Sequence, residues 1–167
     1  YDFLNHFLSL GIDKWWRRKA LSKLQNYSNK RVLDVATGTA DLSILAVKKL
    51  NPDSVIGIDI ADNMLAIGRN KIDTINLSEK IKLETGDSEN LRFDANSFDT
   101  AMAAFGVRNF ENLEKGIAEM YRVLDKNGVI MILEFSRPRI FPIKQLYNFY
   151  FKYILPLIGK IVSKNNE

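Results

Sequence analysis

The middle of the chain alternates two hydrophobic rhythms. Arg31–Val35, Ser54–Asp59, Ile81–Thr85 and the stretches 100–104 and 129–135 are short runs rich in apolar residues, the pattern of buried strands. Helical spacings lie between them. Residues 41–50 place Leu42, Leu45, Ala46 and Leu50 along one face, and Asn51-Pro52-Asp53 stops the run. Asp62 predicts an N-cap for a helix carrying Met64, Leu65 and Ile67. Residues 111–124 predict another, with Leu113, Ile117, Met120, Val123 and Leu124 on one face, closed by the turn Asp125-Lys126-Asn127-Gly128. No internal repeat interrupts this order.

Strand–helix alternation with near-continuous apolar strands predicts an α/β fold, a doubly wound parallel sheet covered on both faces. Right-handed crossovers bring the C-terminal end of every strand to one edge. Ligands of such sheets bind at that edge, where the strand order reverses. The residues that follow each strand are therefore the candidates for chemistry.

After the first strand comes Asp34-Val35-Ala36-Thr37-Gly38-Thr39-Ala40-Asp41. A dinucleotide fingerprint centred on Gly38 needs glycines at 36, 38 and 41, whereas Ala36 and Asp41 stand there. A carboxylate at the helix N-terminus repels a pyrophosphate, so NAD and FAD are disfavoured, and no phosphate-binding G-x-x-x-x-G-K-[ST] loop exists. The acidic version suits a nucleoside cofactor without phosphate and with a positive centre, and S-adenosylmethionine has both properties. Asp34 and the backbone around Gly38 and Thr39 are placed to hold its methionine end. Asp59 ends the second strand 21 residues beyond Gly38, close to the offset of a ribose-binding acid. Asp87, in Gly86-Asp87-Ser88, follows the third strand and can accept from the adenine amino group. Any one of these aspartates alone is more simply a cap or turn residue; their agreement in register carries the reading.

The loop after the fourth strand runs Ala104-Phe105-Gly106-Val107-Arg108-Asn109-Phe110. It lacks the Asn/Asp-Pro-Pro-aromatic motif of DNA amino-methyltransferases, which argues against nucleobase N-methylation. Arg108 is a poor base in its charged form but can hold an oxyanion, with Asn109 donating beside it. The competing reading pairs Arg108 with Glu111 or another acid.

Composition sharpens this picture in three ways. The 167 residues contain no cysteine, excluding disulfides and thiol chemistry. With one histidine, His6, no His/Cys cluster exists to ligate a metal. The net charge of +4 hides an asymmetry: residues 1–31 hold seven Lys/Arg against two Asp, 32–136 eleven against seventeen acids, and 137–167 six against one Glu. Basic flanks suit an anionic lipid surface, nucleic acid or an anionic substrate, but charge alone favours ordinary solvated helix faces. No signal or transit segment is visible, and a cysteine-free chain fits the expectation of a cytoplasmic location.

Five stretches carry a resemblance: "YDFLNHFLSLGIDKWWRRKA", "VLDVATGTADLS", "GIDIADNMLAIGRNK", the run from Gly86 through Pro138, and "YNFYFKYILPLIGKIVSKNNE". Together they span nearly the whole chain and resemble the quinone-biosynthesis C-methyltransferases of the UbiE/MenG type. The resemblance implies a Rossmann-like class I methyltransferase sheet. It also implies S-adenosylmethionine as methyl donor, leaving S-adenosylhomocysteine, and a polyprenylated quinol as acceptor: demethylmenaquinol in one branch, a ubiquinone precursor in the other. The family's cofactor residues fall on Thr39, Asp59, Asp87 and Ser88. A serine that some members use after the fourth strand falls on Ala104, which lacks that hydroxyl, and Ala40 stands where glycine is common. The family pattern continues past Glu167, and the chain opens on Tyr1. The expectation is a chain truncated at both ends, whose missing part supplies the last antiparallel strands. Its expected layout is cap helices over 1–30, a cofactor-binding core over 31–136 and an apolar, basic segment over 137–167.

A ring carbon attacks a methyl group only once an adjacent hydroxyl ionises, so the reduced quinol is the expected substrate, with Arg108 and Asn109 stabilising the phenolate. The stretch 141–162, with Phe141, Tyr147, Phe149, Tyr150, Phe151 and Tyr153 punctuated by Lys144, Lys152 and Lys160, suits a prenyl path or transient membrane-surface contact. It suits equally a core helix or a homodimer contact. Pro142, Pro156 and three lysines argue against a membrane span. Trp15 and Trp16 beside Arg17, Arg18 and Lys19 read as a lid or interface helix. Two other classes stand beside the quinol reading: a methyltransferase for another small molecule, lipid or RNA, and a non-catalytic subunit of the same fold. The quinol reading expects no nucleic-acid partner.

Overall fold

The computed structural model describes residues 12–134. The expectations for the 141–162 stretch and for the family pattern beyond it fall outside the described residues. Helix α1 is Ile12–Ser22, followed by β1 Arg31–Val35, α2 Asp41–Leu50, β2 Ser54–Asp59, α3 Asp62–Thr74, β3 Ile81–Thr85, β4 Phe98–Ala104, a 3-10 turn Val107–Asn109, α4 Leu113–Arg122 and β5 Leu124–Leu133.

The five strands form one parallel sheet in the order β3-β2-β1-β4-β5. Strand order therefore reverses between β1 and β4, and the crevice at their C-terminal ends is the ligand position of such sheets. Side chains alternate across the sheet with the period of two that strands impose. Val32 and Met102 join α1, α2 and α3 residues Leu21, Ala46, Leu65 and Ile72 in one buried cluster. Leu33, Val35, Ala101 and Ala103 face the other way, into a second cluster with Met120 of α4. Both faces are covered, as the near-continuous apolar strands required.

The opposite edge is pinned by one arginine. Arg31, first residue of β1, donates its N–H to Asp99 at 2.8 Å and its Nη2 to the same carboxylate at 2.9 Å. The same Nη2 bonds Asp125 of β5. The starts of β1, β4 and β5 are tied together away from the ligand edge.

Four features differ from the sequence pattern. Asp62 is the first residue of α3 rather than its cap: Ala61 occupies the cap without a side-chain bond, and Asp62 Oδ1 accepts from Thr85 Oγ1 at 2.6 Å. The buried face of α3 is Leu65, Gly68 and Ile72, leaving Ile67 exposed; a Cβ on Gly68 would lie 2.7 Å from Leu83 Cδ1, so this face packs tightly on β3. Helix α4 starts two residues later than predicted, since Asn112 accepts from the Lys115 N–H at 3.0 Å as its cap, and Leu113 is exposed. Finally, Asp125-Lys126-Asn127-Gly128 is no helix stop. The helix ends at Arg122, and β5 begins at Leu124. Leu124 pairs with Phe98 while Val129 pairs with Thr100, so these four residues are a bulge inside β5 and β4 starts earlier, at Phe98. A bulge and a turn use the same residue types, and local sequence does not separate them.

Among the described residues no helix is long and apolar enough to cross a membrane.

Gly57, between β1 and β3, has no room for a side chain: a Cβ there would lie 2.6 Å from Leu83 Cδ2 and 2.9 Å from Thr37 Oγ1. Gly57→Ala is expected to lower stability by about 1–3 kcal/mol through overpacking, read as a reduced urea midpoint with an unchanged slope.

Candidate active site

A cleft of about 620 Å³ opens at the C-terminal edge of the sheet. Its walls include Asp34 after β1, Gly38 and Thr39 of the following turn, Asp59 after β2, Asp87 and Ser88 after β3, and Ala104 and Asn109 after β4. Eight of the nine candidate residues thus converge on one cavity.

Asp34 anchors the turn. It is 1% exposed, and its Oδ2 accepts from Thr37 Oγ1 at 2.7 Å and from Ser43 Oγ at 2.6 Å. Burial pushes its carboxyl up to about 6, against the pull of the Ser43 and Thr37 hydroxyls and the Arg17 charge. Above this brace the chain passes through the left-handed region three times, at Ala36 (φ 56), Gly38 (φ 57) and Ala40 (φ 65). Only Gly38 adopts it without steric cost. The alanines are held there by the Thr37 N–H bond to the Ile58 carbonyl, 2.9 Å, and the Ala40 N–H bond to the Thr37 carbonyl, 3.0 Å. The turn keeps the conformation of a glycine-rich loop with two alanines in it.

Asp59 reaches across to that turn. Its Oδ2 accepts from the Gly38 N–H at 2.9 Å and its Oδ1 from the Ala61 N–H at 2.9 Å. A carboxylate has about four lone-pair sites, so these two bonds orient it and leave capacity for the two hydroxyls of a ribose. Asp87 Oδ1 accepts from the Glu89 N–H at 2.8 Å, an Asx-type turn that fixes the loop after β3.

The fourth wall is set by a close approach. Phe105 sits at φ 60, and a Cβ on Gly106 would fall 2.5 Å from Ala36 Cβ, so the loops after β1 and β4 nearly touch. Asn109, in the 3-10 turn, lines the cleft. Arg108 does not. Its Nη1 donates to Glu134 Oε1 at 2.6 Å, the structural pairing that competed with an oxyanion role, with Glu134 rather than Glu111 as the acid.

Two contributors were not singled out by pattern. Lys71 of α3 sends Nζ to Thr39 Oγ1 at 2.6 Å and to Asp41 Oδ1 at 2.9 Å, clamping the turn from outside. A helix lysine some thirty residues away carries no local signal of this. Arg17 lines the cleft from α1, paired with Asp13 one helical turn earlier and lying 5.3 Å from the Phe105 ring centroid. The Asp13/Arg17 spacing of four was the available signal. Trp16 lies near Phe105, with ring centroids 6.5 Å apart, while Trp15 is exposed.

The donor set fits a phosphate-free, cationic nucleoside. Asp41 occupies the first turn of α2, where it would repel a phosphate, and acids stand at three successive strand ends.

The order β3-β2-β1-β4-β5, with its cleft at the switch point, is that of a doubly wound Rossmann-like sheet, the fold shared by the class I methyltransferases. A solved S-adenosylmethionine-dependent methyltransferase from Aquifex aeolicus superposes with a TM-score of 0.66 at 19% identity, over 75% of this chain and 66% of its own. The chain belongs to the ubiE/COQ5 methyltransferase family, whose model matches residues 1–167. The demethylmenaquinone methyltransferase of Bacteroides fragilis is 49% identical over 167 residues, all of this chain and 68% of that protein. The ubiquinone/menaquinone biosynthesis C-methyltransferase UbiE of Geotalea daltonii is 43% identical, over 98% of this chain and 70% of its own length.

Because the folded protein holds the Asp34 proton more tightly than the unfolded chain, where a carboxyl titrates near 3.8, this group's contribution to stability is full below pH 4 and is lost as pH rises through 6. The loss is about 3 kcal/mol. Asp34→Asn removes that dependence. The melting-temperature difference between variant and wild type should favour the variant at pH 7.5 and shrink toward pH 4; a difference independent of pH rules out Asp34 as the source.

Proposed function

We propose that this chain carries the cofactor cleft and the acceptor-side loop of a quinol C-methyltransferase, acting on demethylmenaquinol with S-adenosylmethionine. The observation that carries the reading is the convergence of Asp34, Asp59 and Asp87 on one cleft in a member of this family. The names of the relatives supply the acceptor class.

S-adenosylmethionine, when bound, supplies an electrophilic methyl group on a cationic sulfur. Asp59, oriented by Gly38 and Ala61, holds the ribose hydroxyls. Asp87 and Ser88 hold the adenine edge, and Gly38, Thr39 and Asp34 the amino-acid end. Ala104 presents a methyl group to the cofactor in place of a hydroxyl. On the acceptor side, Asn109 donates from the cleft wall to the quinol oxygen as it gains negative charge. Arg108, oriented by Glu134, contributes a positive field from the same loop. A phenol ionises near pH 10 by analogy with tyrosine, so lowering that cost is the chief electrostatic task of the loop. Alignment of ring carbon and methyl donor is the rest. The quinol's lipid tail requires an apolar approach, so the proposal includes transient contact with a membrane surface, with the protein on its cytoplasmic side.

The test uses the full-length protein and methyl-labelled S-adenosylmethionine with demethylmenaquinone or the ubiquinone precursor, each with and without reductant. Label in the organic phase only after reduction is the expected result, greater with demethylmenaquinol. Label independent of reduction, or none despite cofactor binding, overturns the quinol reading. Asp59→Ala should weaken S-adenosylmethionine binding roughly 10- to 100-fold by calorimetry, and unchanged affinity would sink the ribose assignment. Arg108→Ala should leave that affinity intact and lower turnover.

A further inference from the structure

Helix α1 differs from the other helices in its charge. From Ile12 to Lys30 the chain holds six bases and one acid. That acid, Asp13, is buried and bonded to Arg17, so the charges that α1 and the turn after it show to solvent are all positive. Helices α2, α3 and α4 each carry both signs. Lys14, Arg18, Lys19 and Lys23 are exposed, and none of them has an ion-pair partner among the described residues. Lys14 and Arg18 lie one helical turn apart, as do Lys19 and Lys23, and like charges at that spacing destabilise a helix. An anionic surface relieves that repulsion.

Trp15 stands in the middle of this face. It is 55% exposed, with Lys19 Nζ 4.8 Å from its ring centroid on one side and Arg18 on the other by helical spacing. Ile12, also exposed, extends the apolar strip toward the helix start. An exposed indole flanked by lysine and arginine is the composition of a helix lying in the headgroup layer, where indole rings settle and basic groups meet anionic lipid. A nucleic acid would meet the charges and leave Ile12 in water. Eleven residues are too few to span a bilayer, so the helix lies on it. The inner side of the same helix touches the acceptor-side loop: Trp16 and Arg17 both reach Phe105, at 6.5 Å between ring centroids and 5.3 Å from guanidinium carbon to ring centroid. A helix with its side chains is about 10–12 Å across, so a surface that touches Trp15 lies about one helix diameter from that loop. A quinol whose tail stays in the bilayer then has a short way to travel.

We propose that the outer face of α1 docks on an anionic lipid surface, with Trp15 as its anchor and Lys14, Arg18, Lys19 and Lys23 as its headgroup contacts, and so holds the acceptor-side loop next to the membrane. This assigns a surface and a lipid charge to the membrane contact of the proposed function, and it rests on the lipid-tailed acceptor of that reading.

Vesicle sedimentation of the full-length protein tests it, with vesicles of phosphatidylcholine alone and of phosphatidylcholine mixed with phosphatidylglycerol. The wild type should bind the anionic vesicles roughly 10-fold or more tighter than the neutral ones, and added salt should erase the difference. Each base near an anionic surface contributes roughly 5-fold, so Lys14→Gln/Arg18→Gln/Lys19→Gln should lose about 100-fold. Trp15→Ala should weaken binding roughly 10-fold and keep its salt dependence. Lys48→Gln/Lys49→Gln, which removes two exposed bases of α2, should bind as wild type. All these positions are exposed, so the melting temperatures should stay near that of the wild type. Methyl transfer to a tail-less quinol in free solution should be unchanged in the α1 variants, while transfer to a long-tailed quinol in anionic vesicles should fall with binding. Equal wild-type binding to both vesicle types, or α1 variants that bind as wild type does, overturns the docking surface. So does a wild-type dimer that becomes a monomer in the α1 variants, which gives the face to a second copy, or tighter binding to an RNA duplex than to the anionic vesicles. A wild type that binds anionic vesicles through α1 but methylates neither quinol overturns the quinol reading and leaves the docking surface standing.

Discussion

The structure turns on a carboxylate kept out of water. Asp34 ends the central strand and is sealed beneath the turn that follows, where two hydroxyls, from Thr37 and Ser43, converge on one of its oxygens. Those bonds join three elements: the end of β1, the left-handed turn and the first turn of α2. A buried charge with few partners is unfavourable, so the turn cannot relax without exposing or stranding it. The backbone at Ala36 and Ala40 tolerates its left-handed conformation because the surrounding bonds over-determine it. Everything the cleft offers to a ligand is positioned relative to that turn.

The same logic selects the ligand. Asp59 spends part of its accepting capacity on the Gly38 N–H, which welds the second strand end to the first. Lys71 clamps Thr39 and Asp41 from the far side. The helix N-terminus that would attract phosphate in a dinucleotide-binding protein carries Asp41 instead. An acid at that position disfavours a phosphate, and the Lys71 ion pair holds it in place.

The two ends of the sheet divide the work. At the strand starts, Arg31 holds Asp99 and Asp125 together, and the bulge over residues 125–128 absorbs the mismatch between β4 and β5. At the strand ends the loops after β1 and β4 carry small residues where they meet, Gly106 against Ala36. Rigid registry at one edge lets the other be built from loops without losing precision.

Much of this was legible in the chain. The strands at 31–35, 54–59 and 81–85 and the helix at 41–50 follow from hydrophobic period alone, because each buries a face against the sheet and the period records which. The gathering of Asp34, Asp59 and Asp87 follows from parallel topology, which sends all strand ends to one edge. Local sequence could not separate the turn at 125–128 from a bulge, nor could it show that Arg108 pairs with Glu134. It also could not show that Lys71 reaches the first turn or that Arg17 is buried against the cleft. Each of those depends on which side chains become neighbours across many residues of chain, and that is decided only when helices pack on the sheet. Periodicity reports a residue's own burial; partnership between charges is a property of the packed fold.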